Sequence, residues 1–450
     1  MRLHDHRIVV CGGARTPIGH ISRSLAGVPA LDLVVRALES CVEKVGVPKD
    51  QVDGVFVGWV GQDFTAPNIA RVAMLRAGLR ESAPAVTHHS NCLSSIETVT
   101  TAVQRILAGA GEVFLAGGVE SMSRLPYTIT GSRASKELRS MDTVKAKWGE
   151  LLASAEVAVV DSMERGLTDP VKGINMAATA EVCAQMHGIS RDAQDEFAHS
   201  SFKRCVAAWN RGFYASHVVP VTKDGTALLE RDEYPFLRED LIAKPVKFGK
   251  APLLFENSAF SMADFYRDFG KHMGGKAYQE GAHGTVTLFN SCGRSDGAGA
   301  VVVATERKAK ALGLPILAEI KGFAFVGNDP AHMGVAPALA APAALEHAGI
   351  GFDQLDQIEL HEPFAATVLG IFKLGAERFG HDWTGKLRSG ALNPNGGSIA
   401  MGHPLGATGC RLILNLVHAM RENPSARYGM AAACAGGGIG GALILQKYEG

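Results

Sequence analysis

No C-x-x-C pair occurs among the eight cysteines of this 450-residue chain. In so long a chain this argues against a disulfide framework and for a reducing compartment. Net charge is missing as well. The 45 Lys and Arg balance 45 Asp and Glu, which leaves no basic stripe to exchange for phosphate counterions and excludes a polyanion-binding role. No export signal is expected, because Met1-Arg2-Leu3-His4-Asp5-His6 runs straight into Ile8-Val9-Val10 without a long apolar region or cleavage site. No membrane span is expected either: the most apolar long stretch, 429–446, holds six glycines and reads as strand, turn, strand. The expectation is a cytoplasmic protein with no nucleic-acid partner.

What is present is apolar and glycine-rich. Hydrophobic residues make up 46% and glycine fills 52 positions, a composition that fits buried elements joined by tight turns. Short apolar runs at 8–10, 55–57 and 113–116 alternate with helical patterns at 31–45 and 96–107. In the second pattern Ile96, Val99, Val103 and Ile106 share one face. The alternation predicts a layered α/β fold.

The chain also repeats itself. Residues 46–57 match 349–360 at an offset of 303, identically at Gly46/Gly349, Asp50/Asp353, Gln51/Gln354 and Asp53/Asp356 and conservatively at four apolar positions. A related helix start precedes each copy, at 27–31 and 334–339. The strand 113–116 before Gly117-Gly118 corresponds to 430–433 before the glycines at 436–438. The shared order predicts two copies of one α/β half. We expect a first half at 1–123, completed by about 284–310, and a second at 311–450. Between them, 124–283 changes texture, with charged amphipathic segments at 133–148 and 190–209 and an aromatic stretch at 255–266. We read it as a subdomain over the active face.

Four residues on turns at strand ends are candidates for chemistry. Cys92 lies just before the 96–107 helix, where Ser94 and Glu97 have capping-box spacing. A thiol at a helix N-terminus is expected to favour its thiolate; the plainer alternative is a small buried cysteine. His403 lies in a glycine-flanked loop, 393–409, that leads into a helix at 410–420, and an imidazole there can take a proton from a thiol. His361 follows the repeat strand at its C-terminal end, where α/β sheets place ligands. Cys434 stands before Gly436-Gly437-Gly438, whose N–H groups can face an oxyanion. A carbonyl-bonded loop histidine, a surface histidine and a bare glycine hairpin are the respective plain alternatives.

At these four blocks, and over nearly the whole chain, the sequence resembles the thiolase family. The segments 117–123, 189–198 and 284–298 resemble that family's G-G-x-E-x-M-S turn, S-R-x-x-Q-D helix and G-T-V-T…D-G-A strand. The resemblance implies a duplicated α-β-α-β-α layered fold with an inserted loop domain for coenzyme A, here extended by an extra insert at 249–283. It also implies ping-pong acyl transfer between thioesters, with coenzyme A as substrate, no permanently bound cofactor and no metal. Position by position, Cys92 would be the acylated nucleophile, His403 its activator and Cys434 the acid/base thiol. His361 with His403 would form one oxyanion site, and the backbone N–H groups of Cys92 and Gly436 the other. Met176, Leu288, Phe289, Cys292 and Phe364 would line the substrate and coenzyme A approach.

Many thiolases carry Asn where His361 stands. The His-Glu version resembles the β subunit of the trifunctional complex of fatty-acid oxidation, implying cleavage of 3-ketoacyl-CoA, a homodimer or homotetramer, and a hydratase/dehydrogenase partner. Leu288-Phe289 and Cys292 replace the usual Ala-Gly and Ser, and Asn175-Met176 matches the family's His-Met only at Met176. Two alternatives stay open: a ketoacyl-synthase-like condensing enzyme, against which Cys434 argues, and a non-catalytic CoA- or lipid-binding subunit of a larger complex. The aromatic residues of the insert must be covered, either as a small core, as the wall of an acyl tunnel, or by a partner.

Overall fold

The computed structural model describes residues 7–131, 140–153, 157–256 and 259–450. The Met1–His6 stretch and the 133–139 part of the amphipathic segment 133–148 lie outside the described residues. The main strands are β1 (Ile8–Arg15), β2 (Gly54–Trp59), β3 (Ala85–His88), β4 (Val113–Ser121), β5 (Ser295–Thr305), β6 (Ala318–Gly327), β7 (Leu355–Leu360), β8 (Tyr428–Ala435) and β9 (Ile439–Lys447). Their order across the sheet is β7-β8-β9-β6-β1-β5-β4-β2-β3. β1 and β6 meet only at Val9–Glu319 and Val10–Ala318, so two sets of strands join at a narrow seam.

The sets are copies. β1-β5-β4-β2 and β6-β9-β8-β7 each run through two antiparallel pairs and then a parallel one. β3 completes the first set; in the second, an isolated bridge from Ile358 to Leu392 stands in that place. The repeated residues explain themselves. Gly46 and Gly349, at φ 77° and 69°, end the preceding helices in a left-handed turn that a Cβ would strain. The Asp53 carboxylate accepts the N–H groups of Glu112 and Val113 at 2.7 and 3.0 Å, clamping the start of β4. Asp356 accepts those of Arg427 and Tyr428 at the same distances, clamping β8.

Five layers follow from strands buried on both faces, which is why they read as continuous apolar runs. Val55 and Val57 face outward against α1 (Ala30–Val45) through Leu33, Val34 and Leu38. Phe56 and Phe114 face inward against α2 (Ser94–Leu107), whose Ile96, Val99 and Val103 share the central core with Leu412 and Leu416 of a second central helix, Thr408–Glu422. Beyond the second set lie Ala336–Ala348 and Ala365–Phe379, packed on Ile358, Leu360, Met430 and Ile444. Each buried aliphatic chain contributes roughly 2 kcal/mol of transfer energy.

The intervening segment supplies α3 (Met176–His187) and α4 (Arg191–Asn210), each N-capped by the side chain of the residue before it, Asn175 or Ser190. The insert settles on α3. Phe255, Met262, Phe265 and Met273 are buried with Ile174, Ala178, Val182 and Ala331, so its aromatic residues form the ordinary small core among the three expected outcomes. We number the remaining helices α5 (Ala336–Ala348), α6 (Ala365–Phe379) and α7 (Thr408–Glu422). Among the described residues no helix is long and apolar enough to cross a membrane.

Candidate active site

Cys92 sits in a tight turn between β3 and α2. Asn91 adopts φ 50°, and its amide donates to the Gly436 carbonyl at 2.8 Å, tying the turn to the glycine loop after β8. The helix begins where the spacing predicts, but the capping box does not form. Ser94 lies inside the helix, accepting from the Ser90 N–H at 3.0 Å and donating to the Asn91 carbonyl at 2.6 Å. Glu97 takes the Ser90 hydroxyl. Both side chains brace the turn instead of the helix end.

The expected thiolate preference is also corrected. Burial pushes the Cys92 thiol up to about 12, outweighing the backbone N–H groups of Gly436 and of Cys92 itself, which pull it down. That direction opposes the pull of the helix end and leaves activation of the thiol to a neighbour.

That neighbour is His403, whose Nε2 lies 3.1 Å from Cys92 Sγ. Its Nδ1 is 2.7 Å from the Thr408 hydroxyl. The Thr408 hydroxyl also reaches the Pro404 carbonyl at 3.1 Å, and with its proton there the ring proton sits on Nδ1 and Nε2 presents a lone pair to the sulfur. Burial, with the Arg411 cation adding to it, pushes His403 down to about 3. Thiol and imidazole rest as a neutral pair.

The two partners come from different strand sets, and bare backbone fixes their distance. A Cβ on Gly118 would stand 1.9 Å from the Gly406 carbonyl oxygen, and one on Gly406 would stand 2.5 Å from that of Val119. No side chain fits at this seam. Buried Glu120 bridges it, accepting the N–H of Gly61 at 2.8 Å and of Gly406 at 3.1 Å.

His361 ends β7, its N–H bonded to the Ala432 carbonyl at 2.8 Å. Its ring is fully buried, 4.2 Å from the His403 ring centroid, with Nδ1 2.8 Å from the Ser398 hydroxyl. Nε2 has no hydrogen-bond partner among the described residues. Burial, then the charges of His403 and Arg411, hold this imidazole well below the usual histidine range. Cys434 lies buried near the end of β8, its thiol pushed far up by burial and by Cys92. The ligand atoms of Cys92, His361 and His403 all fall within 4.8 Å of one another.

Of the expected substrate residues, Met176 opens α3 and lines a cavity of about 430 Å³ with Asn91, Met122, Leu125, Leu405 and Gly436. Cys292 donates its N–H to the Pro363 carbonyl at 2.9 Å, and Phe364 is buried beside it. Leu288 is 61% exposed. Phe289 packs between Arg238 and Phe248, outside the lining of that cavity. Sequence reasoning missed Thr408, Ser398 and Arg411. The one signal for them was their position in and just after the glycine-flanked loop of His403.

A doubled α/β sheet with a cysteine from one copy against histidines from the other defines an acyltransferase of the thiolase type. The chain belongs to the thiolase family: the model of the thiolase N-terminal domain matches residues 8–247 and that of the C-terminal domain 314–447. It is 35% identical over 446 residues to a probable acetyl-CoA acetyltransferase of Escherichia coli (strain K12), covering 98% of this chain and 99% of that one. Among solved structures, human mitochondrial 3-ketoacyl-CoA thiolase has a TM-score of 0.81 at 31% identity, covering 98% of this chain and 99% of that one. The acetyl-CoA acetyltransferase of Bacillus anthracis has 0.82 at 30%, with the same coverage. These relatives favour neither the condensing-enzyme reading nor the silent-subunit reading.

Proposed function

We propose that this thiolase cleaves a 3-ketoacyl-CoA with coenzyme A, releasing acetyl-CoA or another short acyl-CoA and a shortened acyl-CoA. The observation that carries the reading is the 3.1 Å approach of His403 Nε2 to Cys92 Sγ. In the first half-reaction the Cys92 proton moves to His403 as sulfur attacks the 3-keto carbon. His361 and His403 face one oxyanion, and the N–H groups of Cys92 and Gly436 the other. The bond between C2 and C3 then breaks, and Cys434 gives its proton to the released acetyl carbon. In the second half-reaction Cys434 takes the thiol proton of coenzyme A, whose sulfur attacks the acyl carbon, and Cys92 leaves and takes its proton back from His403. A related human thiolase has been solved in complex with CoA.

Met176, Cys292 and Phe364 stand at the site and are assigned to substrate contact; Leu288 and Phe289 are assigned to its outer approach. The His-Glu pair at 361–362 supports the degradative, trifunctional-type reading. Self-association is supported by the position of β3 at the edge of the described sheet and by Phe64, 95% exposed; a hydratase/dehydrogenase partner belongs to the same reading. Trapping with labelled acyl-CoA tests the chemistry. Label on Cys92, lost in Cys92→Ala and retained in Cys434→Ser with slowed carbon–carbon cleavage, is expected. Label on Cys434 or Cys292 would reverse the assignment.

A further inference from the structure

The two histidines, their rings 4.2 Å apart and tilted by 45°, face the same small space, yet their hydrogen bonds call for opposite tautomers. At His403 the Cys92 thiol is a donor 3.1 Å from Nε2, and the arrangement that also satisfies the Pro404 carbonyl, 3.1 Å from the Thr408 hydroxyl, puts the ring proton on Nδ1, 2.7 Å from that hydroxyl, and leaves Nε2 bare. At His361 the order of donors is reversed, and the reversal starts at Arg411. A guanidinium has donors only. Its nitrogen lies 2.6 Å from Ser398 Oγ, so the serine oxygen accepts there. The serine proton then goes elsewhere, and among the described residues the acceptor in reach is His361 Nδ1, at 2.8 Å. A neutral imidazole whose Nδ1 accepts carries its proton on Nε2. This nitrogen is fully buried, has no hydrogen-bond partner among the described residues and lies on a ring 4.2 Å from that of His403. Arg411 is itself buried and held at 3.5 Å from the Glu359 carboxylate.

We infer that Ser398, oriented by Arg411, is a positioning residue that fixes the proton of His361 on Nε2 and so makes it a hydrogen-bond donor to substrate instead of a second base. The division of labour at the site is then written in two hydroxyls. Thr408 makes His403 an acceptor for the thiol proton, and Ser398 makes His361 a donor to the developing oxyanion. A buried donor with no partner in the resting enzyme is stabilising only when negative charge arrives opposite it, as transition-state selectivity requires. The inference rests on the proposed role of His361 and assigns what controls it.

An asparagine at 361 supplies the test, because a carboxamide always presents N–H donors and has no tautomer to set. With acetoacetyl-CoA and coenzyme A as substrates, Ser398→Ala should lower kcat about 10- to 100-fold with KM little changed, the range of a lost oxyanion donor or somewhat less. Ser398→Thr, which keeps the hydroxyl, should recover most of it. In the His361→Asn background, Ser398→Ala should cost less than about twofold, so the double-mutant cycle is strongly non-additive. Nitrogen-15 NMR of the imidazoles in the intact wild-type protein should show His361 protonated at Nε2 and His403 at Nδ1. Equal losses from Ser398→Ala in both backgrounds, or a His361 proton found on Nδ1, would overturn the role of Ser398. If His361→Ala turned over like wild type, the donor role of His361 would itself fall, whatever Ser398 did.

Discussion

The two copies of the α/β unit keep the same strands and the same aspartate clamps, yet they differ in what they bury. β2 reads Gly-Val-Phe-Val-Gly-Trp; its counterpart β7 reads Leu-Asp-Gln-Ile-Glu-Leu and carries the fully buried Glu359. The first copy's central helix buries small hydroxyls, such as that of Thr98 against the Ser95 carbonyl one turn back and the Gly117 carbonyl of β4. The second copy's buries Arg411 and Asn415, which need partners on other elements. Glu362, next to His361, accepts from Ser201 at 2.7 Å and from Asn393 at 2.6 Å, with Arg204 at 3.9 Å. At β2 against β7 and at the two central helices, the copy that holds the thiol is thus the less charged one, and the copy that orients imidazoles carries Glu359 and Arg411. The first copy keeps its own buried charge at Glu120 and Asp296. The second task needs buried charge, and buried charge must be paired.

Breaking the division across the seam should have the largest effect. Cys92→Ala and His403→Ala are each expected to lower turnover by about 10⁴-fold, and the double variant by little more, because the pair acts as one unit. Steady-state kinetics checks this; multiplying losses would show that the residues act separately. Next comes the contrast in buried polarity. Glu362→Leu, which strands its three partners, should cost about 3 to 5 kcal/mol of stability, whereas Thr98→Val in the first copy should cost about 1 kcal/mol. Urea unfolding of both variants measures the gap, and similar costs would erase the distinction drawn here. The smallest effect tests what the copies share. Asp53→Ala and Asp356→Ala each lose two backbone acceptor contacts and should cost about 1 to 2 kcal/mol apiece. The Asp53 carboxylate also pairs with partly exposed Arg80 at 2.6 Å, so Asp53→Ala should cost up to about 1 kcal/mol more than Asp356→Ala; a larger gap, or the reverse order, would show that the clamps are not equivalent.

Much of the fold was legible because its strands are covered on both faces and its central helix keeps an apolar stripe at Ile96, Val99, Val103 and Ile106. The repeated Gly-Asp-Gln-Asp pattern was legible because each glycine and terminal aspartate answers a fixed backbone need. At the site, cysteines and histidines on glycine turns were conspicuous. Their partners were not: Thr408, Ser398 and Arg411 are ordinary side chains until folding sets one hydroxyl proton against another. The capping-box spacing of Ser94 and Glu97 misled for a related reason, since the same two side chains can brace a helix or a turn. The protonation of Cys92 was misjudged because a helix end is visible in sequence, while the desolvation that outweighs it is not. Composition required the insert's aromatic residues to be covered, but only packing shows that α3 covers them.

A sulfur that keeps its proton at rest has a consequence for survival in a cell. Peroxides and alkylating electrophiles attack thiolates, and the oxidation of cysteine to its irreversible acids starts from that form. Cys92 is held as a thiol by burial, with a bare imidazole nitrogen 3.1 Å away as its outlet for the proton. Its nucleophilicity is thereby tied to a partner aligned well enough for bond formation and proton transfer to proceed together. A thiol held this way would present a poor nucleophile to stray oxidants that enter without that alignment, and peroxide inactivation of the wild type should be slower than that of a free thiolate.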